Sequence, residues 1–199
     1  MARYTGPKDR LSRREGVDLF GAGGKLTRLN VIPGMHGTVM RRGPSQYGRQ
    51  LREKQKVKRM YGMMERQFVK YAKLALVAKG NTGDALLSML ERRLDNVVYR
   101  LGLASSRPAA RQLVGHGHVN VNGKRVTIPS YQILVGDVIQ LASKMTEAPS
   151  VKVSINNKSY TPPAWLVRDG VSGKVEKLPQ MADVIEPISV QDIIEFYSR

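Results

Sequence analysis

The feature of this sequence that most restricts its fold is a change of hydrophobic period inside residues 82–141. After residue 118 the apolar residues are spaced by two, and Asn122-Gly123 separates the two alternating runs, as in a β-hairpin. Before that point they are three and four positions apart, which is helical spacing: Leu86, Leu90, Leu94, Val97, Val98 and Leu101. Such a block predicts a small α+β domain of two helices, a hairpin and short strands.

Turn and capping residues indicate where these elements begin and end. Thr82 or Asp84 is expected to cap the first helix, which should end at Gly102. The second should begin after Ser106, a good N-cap residue. Two short strands are expected beyond the hairpin: Val138–Leu141 and Val151–Ile155.

The rest of the chain predicts a mostly helical body. Residues 1–48 are rich in Gly, Pro and Arg and predict a basic arm with a short helix over Asp9–Arg14. Residues 49–79 have helical spacing, broken at Gly62. The apolar residues of 156–199 lack a core of their own, so we expect them to dock on the 49–79 helices. The predicted organisation is an arm (1–48), a helical body (49–90 plus 156–199) and an inserted α+β domain (91–155).

Positive charge is concentrated at one end of the chain. Residues 1–80 hold 19 of the 33 Lys+Arg but only 5 of the 16 Asp+Glu, a net charge of +14, against +4 for 81–130 and −1 for 131–199. Self-repulsion of this size opposes compact folding unless a polyanion neutralises it, and nucleic acid is the commonest polyanion. A solvated basic face is the alternative.

The sequence excludes several classes of protein. It has no Cys, which rules out disulfide frameworks, thiolate zinc sites and cysteine catalysis. We see no secretory signal and no apolar segment long enough to cross a membrane. Gly21–Gly24 lacks the Lys-Ser/Thr ending of a phosphate loop. Glu91 and Asp95 stand beside arginines, which indicates ion pairs rather than an acid–base pair, so no catalytic site is expected.

The first group of candidate RNA-binding residues lies in the α+β domain. Arg107 and Arg111 are four apart near a helix N-terminus, where planar guanidiniums on one face suit phosphate contacts. Alternatively, some of these arginines pair with Asp95 or Glu91. A metal site is disfavoured because the two histidines of the hairpin have no acidic or thiol companion. The candidates are Arg93, Arg107, Arg111, His116, Lys124 and Arg125.

The second group lies in the arm and the helices that follow it. Tyr47 is the aromatic candidate for stacking on an unpaired base, whereas Phe68 and Tyr71 share an apolar stripe and are expected in the core. The basic candidates are Arg3, Lys8, Arg10, Arg13, Arg14, Arg49, Lys54, Lys56, Arg59 and Arg66.

These motifs resemble one family. Residues 90–102, 106–114 and 116–123, with Pro129–Tyr131 after them, resemble the S4 RNA-binding domain, which also occurs in RNA-modifying enzymes and some aminoacyl-tRNA synthetases. Beyond that domain, nearly the whole chain resembles the bacterial-type ribosomal protein S4 family. The flanking motifs that carry this resemblance are Ala2–Pro7, Leu11–Gly16, Pro33–Gly37, Gln50–Val57, Glu65–Phe68 and Glu195–Arg199.

The resemblance implies a structural constituent of the small ribosomal subunit, present once per subunit. It implies primary binding of 16S-type ribosomal RNA, nucleation of the assembly of the subunit body, and translational accuracy together with ribosomal proteins S5 and S12. It also implies contact with S5, and with messenger RNA at the channel through which it enters. The implied location is the cytoplasm, and the residues do not distinguish a bacterial from an organellar ribosome. Many relatives bind zinc through four N-terminal cysteines. Asp9 and Ser12 stand at the first two of those positions, so neither zinc nor another cofactor is expected.

Two other functions remain open. An RNA-modifying enzyme would need a catalytic domain with a cofactor pocket, and the rest of the sequence offers none. A free RNA chaperone or assembly factor would have the same composition as a permanent subunit, and co-sedimentation with mature subunits in high salt distinguishes the two.

Overall fold

The computed structural model describes residues 4–21, 27–37, 43–155, 157 and 160–198. The fold is α+β, as predicted. Its helices are α1 (Lys8–Glu15), α2 (Gln46–Met60), α3 (Glu65–Val77), α4 (Thr82–Glu91), α5 (Leu94–Arg100), α6 (Arg107–Gly115), α7 (Ser143–Thr146), α8 (Pro149–Ile155), a 3-10 turn (Met181–Asp183) and α9 (Val190–Tyr197). Its strands are β1 (Val119–Val121), β2 (Lys124–Arg125), β3 (Val138–Leu141), β4 (Leu166–Asp169) and β5 (Ser172–Val175).

The chain divides into two compact units. The helical unit consists of Met1–Gly83 and Glu186–Arg199, and the mixed unit consists of Asp84–Ile185. None of the helices in the described residues is both long and apolar enough to cross a membrane.

In the helical unit, α2 packs against α9, α3 also contacts α9, and α1 lies against α2. The predicted short helix in the arm is confirmed as α1. The predicted break at Gly62 is also confirmed, because α2 ends at Met60 and Gly62 has φ +61°, a left-handed conformation that favours glycine. Phe68 is fully buried, as expected.

In the mixed unit, the predicted single helix ending at Gly102 is two helices. Arg93 has extended backbone between α4 and α5 and forms a β-bridge with Gln132. The amide of Leu94 donates to the carbonyl of Tyr131, and the amide of Ile133 donates to the carbonyl of Arg92. The loop before β3 therefore satisfies the backbone groups that the break exposes.

The predicted helix caps agree with the structure at one of two places. Ser106 caps α6, and its Oγ accepts from the amide of Ala109 at 3.4 Å. At α4 the capping side chain is Asn81, whose Oδ1 accepts from the amide of Gly83 at 2.9 Å. The prediction of Thr82 or Asp84 is therefore wrong by one residue or more, since the helix already begins at Thr82.

The five strands form one antiparallel sheet in the order β2-β1-β3-β5-β4. The hairpin at Asn122-Gly123 and the Val138–Leu141 strand are confirmed. Ile139 pairs with Gly173, where an added Cβ would overlap the side chain of Leu101. The inner face of the sheet therefore packs closely on the end of α5.

Two predictions about the C-terminal part are wrong. Val151–Ile155 lies in α8 rather than in a strand, and Val151 and Ile155, one helical turn apart, both pack on the core of the mixed unit while Val153 is exposed. The assignment of all of 156–199 to the helical body is corrected as well. Trp165 and Leu166 are buried in the core of the mixed unit, and β4 and β5 complete its sheet, because the five-stranded arrangement pairs β5 with β3. Within this region, α9 lies in the helical unit.

Candidate nucleic-acid interface

α1 presents an exposed row of cations. Lys8, Arg10 and Arg14 are exposed, and Arg10 and Arg14, one turn apart, share a helix face. Arg13 is partly buried and its Nε donates to the carbonyl of Val31 at 2.9 Å. Arg3 lies outside the described residues.

α2 carries cations that face the interior. The Nζ of Lys54 lies 2.5 Å from Glu65 Oε1, and the Nζ of Lys56 lies 2.7 Å from Glu53 Oε1 and donates to the carbonyl of Pro187 at 2.8 Å. Both lysines are buried. In this structure both ammonium groups lie in buried ion pairs, an arrangement that does not favour contact with an external phosphate, and their role in RNA binding stays a prediction.

A buried carboxylate links α1 to α2. Glu15 accepts hydrogen bonds from Arg59 and, at 3.4 Å, from Arg52, and its side chain is 1% exposed. Burial raises the pKa of Glu15, and the guanidiniums of Arg59 and Arg52 oppose that shift. Burial likewise lowers the pKa of Arg59, and the charge of Glu15 opposes it. This ion pair attaches the basic arm helix α1 to α2 within the helical unit.

A second carboxylate joins α2, α3 and α9. Burial raises the pKa of Glu65, but hydrogen bonds from Lys54 and Lys58 outweigh that effect and bring the pKa below its usual value. The hydroxyl of Tyr197 donates to Glu65 Oε1 at 3.1 Å. Burial and the charge of Glu65 together raise the pKa of Tyr197 well above its usual value.

The aromatic candidate and two further cations lie at the surface of the helical unit. Tyr47 is 51% exposed, and its ring centroid is 5.7 Å from that of Phe196 in a tilted arrangement. Arg49 is exposed on α2, and Arg66 is exposed on the first turn of α3. Tyr71 is half-buried.

In the mixed unit, Arg93 is an interior residue. Its guanidinium donates two hydrogen bonds to Asp95, at 3.0 and 2.7 Å, and its exposure is 1%. Arg111 Nη1 reaches the same carboxylate at 3.3 Å and is partly exposed. The buried pairing of Arg93 with Asp95 does not favour an RNA contact, which stays a prediction. Both arginines pair with Asp95 in the structure, which is the alternative to phosphate contact that the sequence left open.

A second network holds Arg107. Arg100 donates to both oxygens of Glu91, at 2.9 and 2.8 Å, and Asn96 donates to Glu91 at 2.8 Å. The Oδ1 of Asn96 accepts from Arg107 Nε at 2.8 Å, and the Arg107 guanidinium lies 4.7 Å from the Tyr99 ring centroid. Sequence reasoning missed Asn96. An amide four positions before Arg100 and five after Glu91 was the available signal.

The β1–β2 hairpin carries exposed cations near the end of α6. Asn122 and Gly123 both have positive φ, at 50° and 76°, and form the two-residue turn that pairs Lys124 with Val121. Lys124 and Arg125 are exposed, and Arg125 Nη2 donates to the carbonyl of His116 at 3.1 Å. An added Cβ at Gly117 would overlap the Arg125 guanidinium.

Within the described residues we find no group of three or more His, Asp or Glu able to hold a metal ion.

The predicted residues that the structure describes fall into three sets by exposure. The interior set is Lys54, Lys56 and Arg93, and the partly exposed set is Arg13, Arg59, Arg107 and Arg111. The exposed set is Lys8, Arg10, Arg14, Tyr47, Arg49, Arg66, His116, Lys124 and Arg125. Guanidinium and ammonium groups at the surface suit phosphate oxygens.

Comparisons with known proteins agree with this chemistry. Residues 3–91 match the ribosomal protein S4/S9 N-terminal domain, and residues 92–139 match the S4 domain. Small ribosomal subunit protein uS4A of Alkaliphilus metalliredigens is 50% identical over 208 residues. The uS4 proteins of Dictyoglomus turgidum and Bacteroides fragilis are 49% and 46% identical over 209 and 201 residues. Each alignment covers all of both chains.

The chain belongs to the ribosomal protein S4 family. Members of this family are ribosomal structural proteins and not enzymes. The resemblance inferred from the motifs is confirmed. The S4-domain match begins at residue 92, at the break between α4 and α5, and ends at residue 139, within β3.

Proposed function

We propose that this chain is a structural constituent of the small ribosomal subunit and binds ribosomal RNA through exposed cations on both of its units. One observation carries the proposal. Acidic residues hold a defined set of cations in the interior, and the cations that remain exposed in the described residues include those on α1, α2 and α3 and on the β1–β2 hairpin. The names of the full-length relatives support it.

The mechanism is electrostatic and geometric. Each phosphate that a Lys or Arg neutralises releases condensed counterions, which favours binding and makes it dependent on salt. Arg10 and Arg14 place two guanidiniums on one face of α1, and the Glu15–Arg59 pair attaches that helix to α2. The networks around Glu91 and Asp95 hold Arg107 and Arg111 in fixed directions. Side chains held in this way lose less conformational entropy on binding.

The finer role follows the family resemblance. The chain binds 16S-type ribosomal RNA before other proteins do, and so nucleates assembly of the subunit body. In the assembled subunit it contacts ribosomal protein S5, contributes to translational accuracy with S5 and S12, and lies near the channel through which messenger RNA enters. Its location is the cytoplasmic ribosome. The exposed cations support the RNA-binding part of this role.

Co-sedimentation with small subunits tests the proposal. We expect the protein to remain with mature subunits through a high-salt wash and to be present in translating ribosomes. In stepwise reconstitution, it should bind the ribosomal RNA without any other protein. A protein that washes off cleanly and is absent from translating ribosomes would instead be a free assembly factor.

A further inference from the structure

The mixed unit has a cleft that the proposed function does not yet use. It measures about 220 Å³ and lies between α6 and the segment that carries α7 and α8. The α6 wall follows one helical stripe that includes Ala109, Leu113 and His116, and the opposite wall includes Met145 and Val151.

The lining of the cleft combines an apolar interior with polar groups. Leu103 and Val151 are buried and line it, whereas Gln112 and His116 line it and are exposed. Apolar walls with a few polar groups are typical of sites for small organic groups. Its volume lies below the roughly 300–1,000 Å³ of sites for drug-sized ligands, so it suits a single planar ring system.

Three cations neighbour residues that line the cleft. The Arg125 guanidinium is hydrogen-bonded to the carbonyl of His116, one of the lining residues. Lys144 and Lys152 are exposed, and each stands next to a lining residue of the opposite wall. Glu147 is the acidic residue of that segment, so the cations outnumber it. Cations around an apolar cleft complement a planar group that carries a phosphate, whereas an apolar protein side chain does not require them.

We propose that this cleft binds one unpaired base of the bound RNA. The base lies between the apolar walls, the His116 ring and the Gln112 amide contact it, and Arg125 and Lys144 contact the adjoining phosphates. Stacking on aromatic side chains, including histidine, and hydrogen bonds to base edges are the usual means by which proteins bind unpaired bases. This inference rests on the proposed function and adds a base-binding site to its phosphate contacts.

The test uses the full-length protein with ¹³C-labelled Met and Leu methyl groups, followed by NMR. The probes are adenosine monophosphate, ribose 5-phosphate and N-acetyl-leucine amide. Ala109→Met fills the cleft from its α6 wall, and Ala182→Met makes the same change at an exposed alanine outside the cleft. Gln112→Ala, with Gln191→Ala as its control, provides a second pair if the larger side chain perturbs the fold.

We expect adenosine monophosphate to shift the Leu113 and Met145 methyl signals, and ribose 5-phosphate to shift them much less. Ala109→Met should abolish the shift and weaken binding of ribosomal RNA by about 5- to 20-fold, the lower part of the range for stacking one base. Ala182→Met should change neither.

Three results would overturn the base site. Equal shifts with ribose 5-phosphate would indicate an anion site only, and saturation by N-acetyl-leucine amide alone would indicate a site for a protein side chain. Unchanged RNA affinity in both cleft variants would also exclude it. Failure of the proposed function is a separate observation, because wild-type protein would then show no preference for ribosomal RNA, while the methyl shifts would still decide whether the cleft takes a base.

Discussion

At the level of single residues, carboxylates decide which cations face solvent. Glu15, Glu91 and Asp95 are buried carboxylates that each hold at least two basic or polar partners, and the partly exposed Glu65 pairs with the buried Lys54. Burying an ion is costly unless it is paired and hydrogen-bonded, so these acidic residues determine which arginines and lysines stay inside. The exposed cations are the ones that remain to meet phosphate.

The Glu91–Arg100 pair gives the first prediction. Arg100→Met should destabilise the mixed unit by about 3–5 kcal/mol, because it leaves Glu91 buried without its cation. Urea unfolding measures this. The double variant Glu91→Met with Arg100→Met should be more stable than the single one. A single variant as stable as wild type would contradict an internal role for this pair.

The arm helix gives the second prediction. Arg10→Ala with Arg14→Ala should weaken binding to ribosomal RNA and reduce the slope of log K against log salt by about 1.4 to 1.8, the value for two lost phosphate contacts. Lys174→Ala with Lys177→Ala, at exposed lysines in the nearly neutral C-terminal third, is the control. A slope equal to that of wild type would mean that α1 does not contact phosphate.

At the level of elements, Tyr197 attaches α9 to α3 through Glu65. Its pKa is raised in the folded protein, so its contribution to stability is present below the unfolded value of about 10 and is lost as pH rises above it. Glu65 faces the hydroxyl, and Lys54 lies 5.9 Å from the ring centroid.

We therefore expect Tyr197→Phe to be less stable than wild type at pH 8 and to lose less stability between about pH 10 and pH 11. Urea unfolding across this pH series measures both, and the difference between the two proteins isolates Tyr197 from other groups that titrate there. Parallel curves would show that Tyr197 does not ionise in this coupled way.

The attachment of β5 to the sheet gives another prediction at this scale. Gly173→Ala should destabilise the mixed unit by about 1–3 kcal/mol, because its Cβ would overlap Leu101. Lys174→Ala, on the exposed side of the same strand, should change stability by less than about 0.5 kcal/mol. Equal effects at the two positions would contradict the close packing of the sheet on α5.

Elements with strong local signals were predictable from the sequence, and those set by distant partners were not. Ser106, Gly62 and Asn122-Gly123 determine local backbone geometry, and the structure agrees at all three. The break at Arg93 depends on hydrogen bonds to residues 129–133, about 40 positions away, which local periodicity does not register. The β4–β5 hairpin was missed for the same reason, since it is completed by pairing with β3.

The candidate site shows the same division. The basic residue types at Arg10, Arg14, Lys124 and Arg125 were recognisable, and the structure leaves them exposed. The sequence did not show which arginines pair with carboxylates inside the protein. Arg93 and Arg111 share one carboxylate, and only the packed helices show that both reach it. The cleft beside α6 depends on α8, which the alternating pattern of Val151–Ile155 had indicated as a strand.

For the whole molecule, the central fact is a net charge of +17 that lies mostly in the first 80 residues. The internal ion pairs are already counted in that net value, so the whole excess of positive charge needs a polyanion. Belonging to the ribosomal protein S4 family makes ribosomal RNA the specific polyanion of this account.

The most direct test of that claim is binding of the purified full-length protein to small-subunit ribosomal RNA and to unrelated RNA of equal length across a salt series. We expect a preference for ribosomal RNA of about a thousandfold or more that persists at ~0.3 M salt, since recognition of an RNA fold adds to charge attraction. Equal binding to both RNAs that disappears as salt rises would contradict the account and leave a general basic RNA binder.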